Sequence, residues 1–140
     1  MREFLLRGKR TDNGEWIEGA YSPFHLNFGE REEKPHIIII SDDEDIDGLW
    51  CEVIPETVGQ FTGLTDKNGV RIFEGDIVSL VKHDGLIYKV VYVPCRYELV
   101  NSKGVNCFVL DIYKSENIEV IGNIHDNPEL LGGEINGINR

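Results

Sequence analysis

The chain has 140 residues, of which 25 are acidic and 14 are Lys or Arg, so its formal net charge is −11 at pH 7. Hydrophobic residues make up 41% and charged residues 28% of the chain, a balance typical of a globular protein and too apolar for a disordered polyanion. The acidic balance excludes a protein whose whole surface follows nucleic-acid phosphate.

Cysteine usage and the shortness of the apolar runs indicate a compartment. Cys51, Cys95 and Cys107 are odd in number and lie far apart without a Cys-x-x-Cys pair. This pattern favours free thiols in a reducing cytosol over a disulfide framework. The apolar run at residues 4–6 is too short for a signal peptide, and no stretch approaches the roughly 20 apolar residues of a membrane span. We therefore expect a cytoplasmic protein without a membrane partner.

Short apolar runs between turn residues predict strands in the N-terminal half. We expect these strands over residues 4–7, 16–21, 36–41 and 49–54. Asn13-Gly14 tolerates the positive φ angles of a tight turn and would join the first two strands as a hairpin. Residues 23–34, which are aromatic and then charged, are expected to form a mobile loop. Pro55 is expected to end the fourth strand, and residues 55–63 could then form one helical turn.

The C-terminal half continues this pattern and ends in one helix candidate. We expect strands over residues 70–73, 76–81, 86–93, 105–112 and 118–123. Asn127 can cap a short helix that has Pro128 at its first position and includes Leu131, and the tail beyond Gly132 is expected to fray. The large aromatic side chains are expected to serve the core, namely Trp16, Trp50, Phe61, Phe73 and Tyr92. The fold class is therefore mainly β.

The middle of the chain resembles a known family. The runs ETVGQFTGL at residues 56–64, DKNG at 66–69 and IFEGDIV at 72–78 look like the signature of the YopX family, a group of small phage and prophage proteins. Flanking blocks agree, so the resemblance extends from Arg2 to about Leu131. The segment Ser22–Asp47 matches no part of the pattern.

The resemblance implies a fold and a context but no activity. It implies an N-terminal β-hairpin region over residues 1–56, packed on a C-terminal SH3-like small barrel over 57–126. One short helix and a flexible tail would follow over residues 127–140. The resemblance also implies a phage or prophage protein in a bacterial host. It brings no catalytic or cofactor-binding residues, because the family has no assigned activity.

The residue types of the signature themselves suit turns. Gly75 stands where a strand begins, so we expect either a positive φ angle or a close contact there. The Asp76 carboxylate can accept nearby backbone N–H bonds and fix the start of that strand. Residues 65–69 would form the preceding hairpin turn. These structural roles explain the block, and a ligand site is the alternative.

The sharpest local motif is acidic. Asp43, Asp45 and Asp47 alternate and are followed by Gly48, which is the first half of a calcium-binding loop. The twelfth position of that loop would be Ile54, where the pattern needs Glu, and the flanks are predicted strands rather than helices. We interpret the motif as a solvated acidic turn that protects the neighbouring isoleucine strand from aggregation. A weak divalent-cation site is the alternative, and no metal ligand is assigned.

Other motifs assign no chemistry. His25, His36, His83 and His125 lack metal-ligand spacing, and a turn explains the pair His83-Asp84. No nucleophile elbow, phosphate loop or dinucleotide fingerprint occurs. The sequence therefore assigns no catalytic, cofactor or metal residue and favours a non-enzymatic protein. A small metal-dependent hydrolase or nuclease is the rival hypothesis.

The distribution of charge along the chain indicates which class of partner is expected. Arg2, Arg7, Lys9 and Arg10 form a basic end near aromatic residues, as in single-strand binders, but the net charge of −11 disfavours nucleic acid. The segment Ser22–Asp47 holds eight acidic residues against two cations and so carries −6 of that charge.

The leading hypothesis is an accessory protein that binds an unidentified protein partner. Exposed strand edges would also permit a homo-oligomer. In a further alternative, the carboxylates mimic DNA and inhibit a host DNA-binding protein.

Overall fold

The computed structural model describes residues 5–81, 85–93, 96–101, 106–110 and 115–131. These residues are mainly β, and every strand pair with a defined register is antiparallel. The strands are β1 (Leu6–Arg10), β2 (Trp16–Ser22), β3 (His25–Asn27), β4 (Glu30–Glu32), β5 (His36–Ile38), β6 (Trp50–Thr65), β7 (Arg71–Phe73), β8 (Asp76–Leu80), β9 (Leu86–Val93), β10 (Arg96–Val100), β11 (Asn106–Val109) and β12 (Ile118–Asn123).

Helical structure is limited to short pieces in the described part of the chain. A 3₁₀ turn spans Ser115–Asn117, and the predicted helix occurs as one turn at residues 129–131. The Asn127 carboxamide does not cap that turn, because its Oδ1 accepts the N–H of Asn123. None of the described helices is long and apolar enough to cross a membrane. The chain divides into two compact units, Met1–Phe61 and Thr62–Arg140.

The first unit contains a closed ring of four strands. β1 pairs with β2, β2 with β5, β5 with β6, and β6 pairs back onto β1. Ile37 and Val53 are fully buried on the inner side of this ring. Gly19 is required there, since a Cβ at this position would lie 2.0 Å from the backbone carbonyl oxygen of Ile38. The ring thus depends on a close backbone approach that any side chain would block.

The prediction that Pro55 ends a strand and begins a helical turn was wrong, because Pro55 lies within β6. The strand continues to Thr65, because Pro55 lies where the pairing with β1 shifts register, between Ile54 and Gly59. In this irregular stretch the missing N–H of proline removes no ladder bond. The Thr57 hydroxyl fills the gap: it accepts the N–H of Lys9 at 2.9 Å and donates to the carbonyl of Ile54 at 2.6 Å.

The prediction of a mobile loop at residues 23–34 was also wrong. The structure has a two-stranded hairpin there, formed by β3 and β4. The predicted strand at residues 36–41 is shorter than expected and ends at Ile38.

The second unit holds one five-stranded antiparallel sheet in the order β11-β10-β9-β8-β12, and β7 pairs with the end of β6. Its core is one apolar cluster drawn from these strands and the turns between them. The cluster contains Ile72, Val78, Leu80, Tyr88, Val90, Tyr97, Leu99, Leu110 and Ile118. Phe73 is also buried, as predicted, whereas Tyr92 is 54% exposed and does not serve the core.

Two carboxylates of the signature organise this unit. Asp76 accepts the N–H of Phe73 at 2.7 Å, and Gly75 before it has a φ of +92°, which confirms the expected turn at the start of β8. Asp66 is buried, and its Oδ1 accepts the N–H groups of Asn68 and Val70. Its Oδ2 accepts the N–H of Val120 in β12 at 2.9 Å. One carboxylate therefore closes a turn and binds a strand 54 residues away.

We expect Gly19→Ala to unfold the first unit or to destabilise it by more than about 3 kcal/mol, because the new methyl group meets rigid backbone. Gly8→Ala is the matched control, since its Cβ would meet only the Val53 side chain, at 3.0–3.2 Å. Urea denaturation followed by tryptophan fluorescence measures both, as Trp16 and Trp50 lie in this unit. Equal losses in the two variants would contradict the backbone clash.

We expect Asp66→Ala to cost about 3 kcal/mol or more, because three N–H groups lose a charged acceptor. Asp66→Asn retains one acceptor oxygen, so its loss should be intermediate. Amide hydrogen exchange at Val120, together with urea denaturation followed by circular dichroism, measures the effect. Unchanged protection of the Val120 amide in Asp66→Ala would show that this tie is dispensable.

Candidate partner-binding surface

The β3–β4 hairpin presents an aromatic side chain at its tip. His25 pairs with Glu32 and Asn27 with Glu30, so Phe28 and Gly29 are the two turn residues. Both have positive φ angles, +52° and +81°, as a type I′ turn requires. Asn or Gly normally fills the first position of such a turn. Phe28 occupies it instead and is completely exposed.

A cluster of three rings attaches this hairpin to the four-strand ring. His25 of β3 stacks on Trp50 of β6, with ring centroids 4.8 Å apart and planes 28° apart. His36 of β5 packs against both, at 5.0 Å from the Trp50 ring and 5.6 Å from the His25 ring. Each such contact contributes about 0.5–1.5 kcal/mol beyond the area that it buries. The hairpin is therefore held in a defined position on its own unit.

The strand registers explain why this cluster forms outside the core. Ile37 points into the ring, so its neighbours His36 and Ile38 point to the opposite face, and Trp50 pairs with Ile38 on that face. His36 is only 5% exposed even so. Its Nδ1 donates to the Lys34 carbonyl at 2.9 Å, because a carbonyl oxygen can only accept. Trp50 remains 44% exposed, which corrects its assignment to the core.

Large apolar side chains are exposed throughout this part of the chain. A two-bond continuation of the β5–β6 pairing, Ile39 N–H to Leu49 O and Gly48 N–H to Ile39 O, leads from the cluster to the acidic turn. Six large apolar side chains between residues 22 and 50 are exposed, namely Leu26, Phe28, Ile40, Ile46, Leu49 and Trp50. We refer to residues 22–50 as the exposed segment. It overlaps the region that carries more than half of the net charge.

The acidic turn uses its carboxylates to hold its own backbone. Asp43 Oδ1 accepts the N–H of Asp45, and Asp47 Oδ1 accepts the N–H of Ser41, both at 3.0 Å. The Asp43 carbonyl accepts the N–H of Asp47 as well. Within the described ranges, no group of three or more His, Cys, Asp or Glu side chains could hold a metal ion. The geometry is that of a closed polar turn with its acidic side chains in solvent.

The four histidines separate into different surroundings. His25 and His36 come together in the ring cluster, which their sequence spacing does not indicate. His125 lies in the second unit, where its N–H donates to Asn123 Oδ1. The pair His83-Asp84 lies outside the described residues. The structure thus brings two of the four together, and with an aromatic ring rather than with further metal ligands.

The basic end is largely engaged by its neighbours. The Arg7 guanidinium lies 4.7 Å from the Trp16 ring centroid, and Arg10 donates two hydrogen bonds to Asp12 at 2.7 and 2.9 Å. The side-chain hydrogen bond from Arg10 lowers the pKa of Asp12, and the same bond raises the pKa of Arg10. Arg2 lies outside the described residues. This arrangement gives little support to a cationic groove for nucleic acid.

The two central features, the ring cluster and the Phe28 tip, are not among the features predicted from the sequence. The sequence does contain a signal for the tip. Phe28-Gly29 is a two-residue pair with Gly at its second position, and it lies between two three-residue runs that can pair as the strands of a hairpin. The ring cluster had no such signal, because its members come from three strands at residues 25, 36 and 50.

We expect Trp50→Ala to loosen the attachment of the hairpin, because both histidine rings lose their contact with the Trp50 ring. Backbone amides of residues 25–32 should exchange about ten-fold faster or more, in line with loss of about 1.4 kcal/mol of local stability. Trp50→Phe retains a ring and is the matched control. Unchanged exchange in Trp50→Ala would contradict the role of the cluster as the attachment.

Comparisons with known proteins agree with the resemblance noted in the sequence. In solved structures, the chain is similar to the crystal structure of protein EF1440 from Enterococcus faecalis, with 27% identity and a TM-score of 0.54. The match covers 94% of this chain and 99% of that chain. A comparison with curated proteins finds no match. The family model described as YopX protein matches residues 5–132, and the chain therefore belongs to the YopX family.

Proposed function

We propose that this chain is a phage or prophage accessory protein that binds a protein partner in the cytoplasm of a bacterial host and catalyses no reaction. The observation that carries the proposal is the exposed segment, where six large apolar side chains lie outside any core. The family membership supports the phage context. The odd and widely spaced cysteines support the compartment.

Apolar exposure on this scale supports a binding role on physical grounds. A single exposed Leu or Ile is ordinary, but large apolar residues that gather in one region are typical of interaction sites. Here Leu49 and Trp50 are adjacent in the chain. Ile39 donates its N–H to the Leu49 carbonyl, and Ile40 is the next residue after it. Transferring such side chains from water to a partner gains about 25 cal/mol per Å² of apolar area.

The same observation favours a protein partner over the DNA-mimic alternative. A mimic of duplex phosphate presents carboxylates to a cationic groove, and apolar side chains among them contribute nothing to that match. In the exposed segment Ile46 lies within the acidic turn, and Leu49 directly follows Gly48 at its end. An interface with an apolar centre and a charged rim fits this mixture.

For the fold we propose that residues 57–126 form an SH3-like small barrel, between an N-terminal region at 1–56 and the tail at 127–140. The antiparallel sheet of five short strands with one apolar cluster supports the barrel. Under this proposal the barrel is the scaffold common to the family, and the binding surface belongs to the N-terminal region.

The proposal is tested by affinity capture from infected or induced host cells. The tagged wild-type chain is compared with a variant in which four exposed residues become Ser, namely Leu26, Phe28, Ile40 and Leu49. A matched control changes exposed apolar residues of the second unit to Ser, namely Val70, Leu86 and Ile121.

We expect a partner that the wild type and the control retain and that the exposed-segment variant loses by more than about ten-fold. A partner retained by the exposed-segment variant would place the interface elsewhere. Failure of the wild-type chain to enrich any protein would contradict partner binding.

A further inference from the structure

We propose that the β3–β4 hairpin is the anchor of the interface, and that Phe28 inserts into an apolar pocket rimmed by Lys and Arg on the partner protein. This inference rests on the proposed function and names the chemistry of the partner. Phe28 lies at the tip of a two-residue turn and is completely exposed.

Phe28 does nothing for the stability of its own hairpin. A bulky residue at φ +52° is an outlier, and the type I′ turn favours Asn or Gly at this position. Its ring buries no surface within the chain that would offset this strain. Strained residues that persist without a packing role concentrate at binding sites. Phe28 is therefore held fully in solvent without a packing role in its own fold.

The hairpin that carries Phe28 is held in advance of binding. His25 stacks on Trp50, and the guanidinium of Arg31 in β4 lies 4.4 Å from the ring centroid of Phe24, which directly precedes β3. Both contacts restrain the hairpin without using the tip. A rigid element loses less conformational entropy on association, and aromatic residues in desolvated pockets dominate binding energies. These properties suit an anchor residue.

The negative charge of the exposed segment indicates that the rim of the partner's pocket is basic. The two cations of the exposed segment are already ion-paired within it, Arg31 with Glu33 at 2.9 Å and Lys34 with Glu32 at 3.8 Å. Six further carboxylates remain in the segment, one of them on Glu30 beside the tip. This negative field attracts a cationic protein surface and repels both anionic lipid and nucleic-acid phosphate. The occupant is therefore a basic protein surface with an apolar pocket.

The test uses Phe28→Asn, because Asn-Gly is the preferred pair for this turn. The variant should fold at least as stably as the wild type, so that a loss of binding cannot be attributed to unfolding. Leu86→Asn, which alters another exposed apolar residue, is the control. The probe is a display library of a small folded scaffold with randomised surface positions, selected against the full chain.

We expect the selected binders to be rich in Lys and Arg around apolar residues, and to lose about 30-fold or more in affinity for Phe28→Asn but not for Leu86→Asn. Their affinity should also fall several-fold between 50 and 300 mM salt. Binders without excess positive charge, or with equal affinity for Phe28→Asn, would overturn the proposal. A lower melting temperature for Phe28→Asn than for the wild type would overturn the strain argument on which it depends.

Other occupants are separate outcomes of the same measurements. A wild-type chain that is dimeric by light scattering and monomeric as Phe28→Asn would assign the anchor to a second copy and overturn the basic partner. If host-cell capture depends on the exposed segment while the binders ignore Phe28, the anchor fails and the proposed function stands. If both experiments return no binding at the exposed segment, both proposals fail.

Discussion

The closed ring of β1, β2, β5 and β6 is the constraint on which the proposed binding surface depends. Closure requires the backbones at Gly19 and Ile38 to approach more closely than any side chain permits. It also fixes which face of β5 and β6 turns inward, since Ile37 and Val53 fill the ring. His36 and Trp50 are consequently forced outward. The β3–β4 hairpin packs against these two side chains on the outer face. The position of the hairpin therefore depends on how the interior of the ring is packed.

The two units use their unusual residues in opposite ways. In the second unit, the buried carboxylates of Asp66 and Asp76 accept backbone N–H groups, and the positive φ of Gly75 falls on the residue type that tolerates it. Each of these two buried carboxylates is thus offset by N–H donors of its own unit. In the exposed segment, by contrast, a positive φ falls on the bulky residue Phe28, whose side chain is completely exposed. Unsatisfied features of this kind are what a partner can satisfy.

The sequence predicted what local chemistry decides. The hairpin of β1 and β2, the Gly75-Asp76 strand start and the β-rich fold class follow from residues close together in the chain. In that hairpin the positive φ falls on Gly14 and not on Asn13. The prediction at Pro55 was wrong because the pairing of β6 with β1 shifts register there, so that no ladder hydrogen bond requires an N–H group at that position. The prediction was wrong again at Trp50, whose position depends on rings from two other strands. Long-range pairing overrides local preference in β proteins, and no single-sequence pattern encodes it.

The acidic charge and the apolar exposure of the exposed segment explain each other. Apolar side chains in water favour association between copies of the same chain. A charge of −6 in the same region opposes that association, because like-charged surfaces repel. Under the proposal of a basic partner, the same charge attracts that partner. Under that proposal, one feature of the sequence both opposes self-association and favours the partner, and this charge lies in the segment that contains Phe28.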